Sequence, residues 1–319
     1  MASDNHFKNS ISILIPSYNI VCTELVNDLR QQAVRIRRKN PEFEFEIIVA
    51  DDGSTRKETV EKNRAIGALD DCTFIECPQN RGRAVIRNFL ARQAHNDYLL
   101  FLDCDLRVGD ANFLNYYLHT GDSPVVCGGI TIQIGGVPPK DNLRYNYEKA
   151  YESAIAADAS RLYSSKEFRS TNFVIRRDIM LSYPFDERFY EYGYEDVLFG
   201  KRLNEAGIKV LHINNAMAMT DLENNLLFVE KTEESLRTLY NFRSDLKGYS
   251  HILNIVERLK TFHLLSLARL LFRLLGKRMR ANLTGSHPWL PLFNWYKLGY
   301  YINHAHERSQ QPARQGNER

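Results

Sequence analysis

Over its first hundred residues the chain repeats one pattern: a short, unbroken run of Ile, Val, Leu and Phe, then a longer polar stretch with helical spacing. Few folds accept that alternation. A βαβ unit does, because a strand followed by an amphipathic helix returns to lie beside a parallel neighbour. The pattern predicts strands over residues 11–15, 45–50, 73–76 and 98–102, with helices near 24–38, 57–65 and 84–94 between them. Runs such as IIVA and YLLFL leave no polar face, as expected of strands covered by helices on both sides. The fold class is therefore α/β, a mainly parallel sheet flanked by helices.

Further along, a strand-like stretch over 125–134 leads through a GGVPP loop into a helical segment near 142–159. A strand at 172–175, a loop rich in Tyr and Phe, a helix beginning at Glu195 and a strand near 209–213 follow. From residue 223 the strand signal stops, and two long helical patterns form a C-terminal helical region. The expected organisation is a catalytic α/β domain over 1–222, helices over 223–304 and a disordered polar tail over 305–319. The second helical pattern, 252–283, contains LLSLARLLFRLL. Arg269 and Arg273 interrupt it, so it is too charged to span a bilayer. Arg258, Arg269, Arg273, Lys277 and Arg280 fall within an arc of roughly 100° on one helix. A basic stripe opposite Leu and Phe suits a helix lying in an anionic membrane interface. It equally suits a helix that packs its leucines inward and leaves arginines in water.

Charge separates the two regions. Residues 251–319 hold 11 Lys/Arg against 3 Asp/Glu, net +8, while residues 1–250 hold 31 against 36, net −5. An acidic body argues against a grip on nucleic acid and assigns any anionic surface to the C-terminal part. The five cysteines are scattered, without zinc or disulfide spacing, and read as reduced thiols of a cytoplasmic protein. The opening MASDNHFKNS has no apolar core of a secretory signal, so export is not expected.

The chemistry gathers where strands end. Pro16-Ser17-Tyr18-Asn19 follows the first, Asp51-Asp52-Gly53-Ser54 the second and Asp103-Cys104-Asp105 the fourth. Ligands of open α/β sheets bind outside the carboxyl ends of the strands. Two carboxylates one residue apart can hold one divalent cation that also binds a diphosphate, since Mg²⁺ takes only one or two protein carboxylates beside phosphate oxygens. Four carboxylates at one sheet end repel each other unless a cation or donor groups neutralise them. Asp51, Asp52 and Ser54 could equally cap a helix. In NRGRAVIRN, Arg81, Arg83 and Arg87 sit at a helix start, where guanidinium groups could grip phosphate or simply face water. Glu195-Asp196 opens a helix, which suits the macrodipole, and a carboxylate there could also serve as a general base.

In this order ISILIPSYN, IIVADDGS, NRGRAVIRN, YLLFLDCDL and GYEDVLFGKRLNEAG resemble the family 2 inverting glycosyltransferases of GT-A, Rossmann-like fold, over roughly residues 10–222. The resemblance implies an enzyme that moves a sugar from a nucleoside diphosphate donor, commonly a UDP-sugar, to a saccharide or lipid-linked saccharide. It implies that Pro16, Tyr18, Asp51 and Asp52 line the nucleobase and ribose pocket, and that Asp103 and Asp105 hold Mn²⁺ or Mg²⁺ against the diphosphate. Asp196 matches the catalytic base, Glu195 beside it an acceptor contact, and Asn172 a residue lining the sugar pocket. The family's further histidine ligand is missing from NNAMAMTDLE. His212 lies earlier, within a strand, where packing is the usual role of a lone histidine, which leaves Asp221 or water to complete the coordination. With a lipid-linked acceptor, the protein would work peripherally at the cytoplasmic face of the inner membrane.

Two other readings stay open. A sugar nucleotidyltransferase shares the doubly wound sheet and the metal, but SILIPSYN lacks the glycine-rich loop such enzymes place after the first strand. A non-catalytic saccharide-binding protein would use the aromatic residues Phe185, Phe189, Tyr190, Tyr192 and Tyr194 without needing both acidic strand ends.

Overall fold

The computed structural model describes residues 7–135, 138–156 and 162–310, without the side chains of 153–156. The described chain forms two compact units. The first comprises residues up to Pro138, Tyr151–Tyr190 and Glu195–Asp221, and the second comprises Pro139–Ala150, Glu191–Tyr194 and the chain from Leu222.

In the first unit, β1 (Ser10–Ser17), β2 (Glu44–Asp51), β3 (Cys72–Glu76) and β4 (Tyr98–Leu102) alternate with α1 (Thr23–Lys39), α2 (Lys57–Arg64) and α3 (Arg83–Gln93). These are the expected strands and helices; β4 has the expected bounds and the others differ by one or two residues at an end. Next come β5 (Leu106–Arg107), α4 (Phe113–Leu118), β6 (Val125–Cys127), β7 (Ile130–Ile132) and α5 (Leu143–Ala156), whose residues up to Ala150 belong to the second unit. Then follow β8 (Asn172–Arg176), α6 (Arg177–Ser182), α7 (Glu195–Glu205), β9 (Val210–His212) and β10 (Met217–Met219).

Seven strands form one sheet in the order β3-β2-β1-β4-β8-β6-β9. All run parallel except β8, which is antiparallel to both β4 and β6. A smaller sheet has the order β5-β10-β7. Continuous apolar strands bury both faces: Ile13, Leu14, Ile15, Leu99, Leu100 and Phe101 are all inaccessible. An aromatic ladder fills one side, with Phe101 stacked on Phe173 at 5.0 Å and Phe185 on Phe199 at 4.2 Å between centroids.

The strand expected over 125–134 is two strands in two different sheets, broken at Gly128-Gly129. A Cβ on Gly128 would collide with the Tyr117 hydroxyl and the Asn215 carbonyl, and Gly129 takes a φ of +75°, so the chain turns where only glycine fits both demands. The helix expected to reach residue 159 is described to Ala156, and 157–161 lie outside the described residues. Of the aromatic loop, Phe185 and Phe189 are core residues rather than a sugar-stacking surface.

The second unit holds α8 (Asn225–Asn241), α9 (His251–Thr261), α10 (Leu265–Thr284) and α11 (Leu290–Gln310) around Leu143, Phe228, Val229, Leu283, Phe293 and Tyr296. Asn224 and Ser250 cap α8 and α9 by accepting from Leu227 and Leu253 N–H. The single helix expected over 252–283 is interrupted after Thr261. His263 N–H donates to Lys260 and Leu264 N–H to Leu259, a Schellman closure with His263 left-handed at φ +56°. Arg258 consequently sits on α9, apart from the other four residues of the expected stripe. Residues 305–310, expected in the tail, continue α11, and 311–319 lie outside the described residues.

Candidate active site

Strand order brings the polar ends together. β1 lies between β2 and β4, and the order reverses there, which opens a crevice at the carboxyl ends of β1 and β4. Ser17 pairs with Asp51, and Leu14 with Phe101, so Pro16 and Asp103 leave the sheet at the same level. Because β8 is antiparallel, its first residue, Asn172, sits beside Leu102 at this same rim.

The loop after β1 is tied to the loop after β2. Asn19, left-handed at φ +56°, donates its N–H to Ser54 Oγ at 2.7 Å, and its side-chain oxygen accepts from the Thr55 and Arg56 N–H groups. Pro16 is half-buried and Tyr18 exposed on this rim, open to a ligand. Asp51 is buried and turned onto its own loop, where it accepts from Ser54 N–H at 2.8 Å and from the Ser54 hydroxyl. Asp52 is also buried. Its two oxygens accept from the N–H groups of Arg81 and Gly82, each at 3.0 Å, and so fix the loop that starts α3. Burial lifts the Asp52 carboxyl above its ordinary range, and those two N–H groups act against the rise. Gly53, at φ +69°, lets the β2 loop meet Gln79 and Asn80, where a Cβ would strike their backbone.

Arg87 is the centre of the site's electrostatics. It is 1% exposed, donates to Asp103 Oδ1 at 2.7 Å and faces Glu195 Oε1 at 3.8 Å. The phosphate grip expected of Arg87 is corrected accordingly: its guanidinium is enclosed and committed to two carboxylates of the protein. Its Nε is buried without a hydrogen-bond partner. Arg81 likewise folds back, with Nη2 3.5 Å from Cys77 Sγ and its guanidinium over Phe89. Of the four strand-end carboxylates expected to repel each other, three meet donors: turn N–H groups for Asp51 and Asp52, and Arg87 for Asp103.

At the start of α7, Glu195 is buried and Asp196 half-buried. Glu195 faces Arg87, so the structure gives it a supporting position in the ion network instead of an open acceptor contact. Burial first, and then the charge of Glu195, push the Asp196 carboxyl up to about 7, while the Val197 N–H, Arg169 and Arg87 restrain the rise. A carboxyl with that affinity is suited to accept a proton near neutrality. Arg169 carries no signal in the sequence. It stacks over Tyr151 at 3.8 Å and contributes to the field at Asp196.

Asn172 is corrected as well. Its oxygen accepts from the Tyr117 hydroxyl at 2.6 Å, and its nitrogen donates to the carbonyls of Gly129 and Asn215 at 2.8 and 2.9 Å. The buried amide clamps the β6–β7 break and has no polar atom left for a sugar. The His212 ring nitrogen lies 2.8 Å from the Ser164 carbonyl, a packed histidine. Asp103 has one oxygen taken by Arg87, and Asp105 is exposed on the turn between β4 and β5. Two such carboxylates fit a hard divalent cation that fills its remaining positions with diphosphate oxygens and water. No group of three or more His, Cys, Asp or Glu gathers as a cation site among the described residues.

The family model described as glycosyl transferase family 2 matches residues 12–183. An uncharacterized glycosyltransferase of Bacillus subtilis, YfnE, is 24% identical over 291 residues, covering 72% of this chain and 71% of that one. An uncharacterized glycosyltransferase of Haemophilus influenzae is 30% identical over 145 residues, covering 41% of this chain and 45% of that one. Among solved structures, the mannosyltransferase PcManGT from Pyrobaculum calidifontis, in complex with GDP-Man and Mn²⁺, superposes with a TM-score of 0.57. That match has 16% identity and covers 96% of this chain and 88% of that one, a likeness of fold alone.

Proposed function

From the premise that this chain belongs to glycosyl transferase family 2, with the GT-A fold, we propose a specific reaction. A glycosyl group passes from a UDP-sugar to a hydroxyl of a saccharide or lipid-linked saccharide, with inversion, and Asp196 is the general base. The observation that carries this reading is the Asp196 carboxyl itself. It is held at the start of α7 with its proton affinity raised to about 7, next in the chain to Glu195, which faces Arg87 and through it Asp103.

The chain's residues divide the work. Tyr18 and Pro16 offer the donor a surface, and Asp52 shapes the loop beside it through Arg81 and Gly82. Asp103 and Asp105 would hold Mn²⁺ or Mg²⁺, which when bound neutralises charge on the diphosphate. The acceptor oxygen forms its bond to the anomeric carbon as the bond from that carbon to the diphosphate oxygen breaks on the opposite face. The acceptor's proton moves to an Asp196 carboxylate oxygen. Arg87 holds the Asp103 and Glu195 carboxylates in place, a positioning role. A lipid-linked acceptor would be met at the cytoplasmic face of the inner membrane.

Asp196→Asn tests the assignment. The variant should bind nucleotide sugar with nearly unchanged affinity by calorimetry and lose transfer. Near-normal turnover by Asp196→Asn would remove the base.

A further inference from the structure

The helix α10 has twenty residues, five of them basic and none acidic. Between residues 258 and 306 the chain carries eight Lys/Arg and no Asp/Glu. Arg280 is paired, with Glu233 at 2.8 Å. Arg269, Arg273, Lys277 and Arg278 have no carboxylate partner among the described residues.

One row of leucines on α10 points away from its own unit. Phe272, Gly276 and Leu283 turn inward, with Phe272 against Gly299 and Tyr296 of α11 and Leu283 within the apolar cluster. At about 100° per residue the opposite face carries Leu267, Leu270, Leu271 and Leu274. These are 52, 51, 49 and 66% exposed. The leucines of this ridge therefore face outward instead of packing inward, and Arg273 and Lys277 are exposed beside them. A contiguous apolar ridge of this kind marks an interaction surface. Its partner must also suit the cations on its flanks.

A second copy does not. A twofold contact brings a patch against itself, and α10 has no acidic residue, so every register sets cation against cation. An anionic bilayer surface answers both features, since leucines enter the acyl boundary while Lys and Arg rest among lipid phosphates. Phe262 before the helix and Trp289 after it are exposed, at 70 and 62%, and aromatic rings favour headgroup level. No helix among the described residues is long and apolar enough to cross a membrane.

We propose that α10 is a membrane-docking helix, lying in the interface of an anionic bilayer with the ridge from Leu267 to Leu274 inserted and Arg269, Arg273 and Lys277 on lipid phosphates. The docking does not depend on the transfer reaction. The full chain is sedimented with vesicles of phosphatidylcholine alone and of equal parts phosphatidylcholine and phosphatidylglycerol, at low and high salt. The protein should pellet with the anionic vesicles and be released by salt. Leu274→Ser should weaken binding at least about tenfold, and Arg273→Ala or Lys277→Ala about fivefold each. Thermal shifts with nucleotide sugars should be the same for these variants as for the parent, which separates docking from the transfer reading. Failure to pellet with anionic vesicles at low salt overturns the proposal, as does pelleting that Leu274→Ser leaves unchanged. A dimer by sedimentation equilibrium that Leu274→Ser dissociates, with no vesicle binding, would make the ridge a contact between copies and also overturn it.

Discussion

Arg87→Met tests whether one arginine holds the site together. Methionine keeps most of the apolar stem that packs in the core and removes the guanidinium, so the change isolates charge from volume. In the parent, the guanidinium is 1% exposed, with Asp103 at 2.7 Å and Glu195 at 3.8 Å. Asp103 and Glu195 are themselves only 18% and 6% exposed at their side chains, so water cannot replace the arginine well. A unit charge pair at about 4 Å is worth about 4 kcal/mol at an effective dielectric of 20. Stranding buried carboxylates typically costs about 3–5 kcal/mol. The loss of the contact with Phe185, 5.7 Å from the guanidinium carbon, adds about 0.5–1 kcal/mol. The expected destabilisation is therefore about 3.5–6 kcal/mol. It should be measured by far-ultraviolet circular dichroism in denaturant, because neither tryptophan, Trp289 or Trp295, belongs to the first unit. In a double-mutant cycle with Asp103→Asn, the two changes should be non-additive by at least about 1 kcal/mol. A loss below about 1 kcal/mol, or strict additivity with Asp103→Asn, would refute the central role of Arg87.

Asp196→Asn should lower kcat by about 10²–10⁴-fold with little change in donor affinity, read by steady-state kinetics beside calorimetry. In the parent, kcat should rise with pH through a limb near 7, because the ionised carboxylate is the form that takes the proton; a flat profile from mildly acid to neutral pH counts against the base. Linkage gives the stability consequence. With its folded-state affinity raised, Asp196 stabilises the fold most in acid and loses that contribution as pH climbs toward about 7. Asp105→Ala should abolish the Mn²⁺-dependent part of donor binding, and equal affinities with and without Mn²⁺ in the parent would remove the metal role of Asp103 and Asp105. Gly128→Ala should destabilise the first unit by about 1–3 kcal/mol through its collision with Tyr117 and Asn215, seen as a lowered calorimetric midpoint.

The parts of the fold legible in the sequence were those with a local cause. Strands such as YLLFL need no partner to announce that both faces are buried, and the end of α7 is marked by Gly207, left-handed at φ +72°, where Ile208 N–H closes onto Leu203. The break between α9 and α10 has the same Schellman geometry but uses His263, and the surrounding TFHLL holds neither Gly nor Pro, so helical periodicity runs straight through it. The split between β6 and β7 depends on Tyr117, Asn172 and Asn215 meeting at Gly128. None of these is near it in sequence. The reversed direction of β8 is equally silent, because a buried antiparallel strand between parallel neighbours has the same apolar pattern as they do.

The candidate site divides along the same line. Strand ends are local, so Pro16, Tyr18, Asp52, Asp103 and Asp105 can be placed at the rim from the βαβ pattern alone. What each side chain is engaged with is not local. Arg83 and Arg87, four apart on α3, read as one cationic face of a helix, and only the neighbouring positions of β4 and α7 turn Arg87 inward onto Asp103 and Glu195. Asn172 looks like a polar residue offered to a ligand until the reversal of β8 sets its amide among two carbonyls and a tyrosine hydroxyl. With Arg87 turned onto Asp103 and Glu195, the proton affinity of Asp196 is raised first by burial and then by the charge of Glu195, against the weaker pull of Val197 N–H, Arg169 and Arg87.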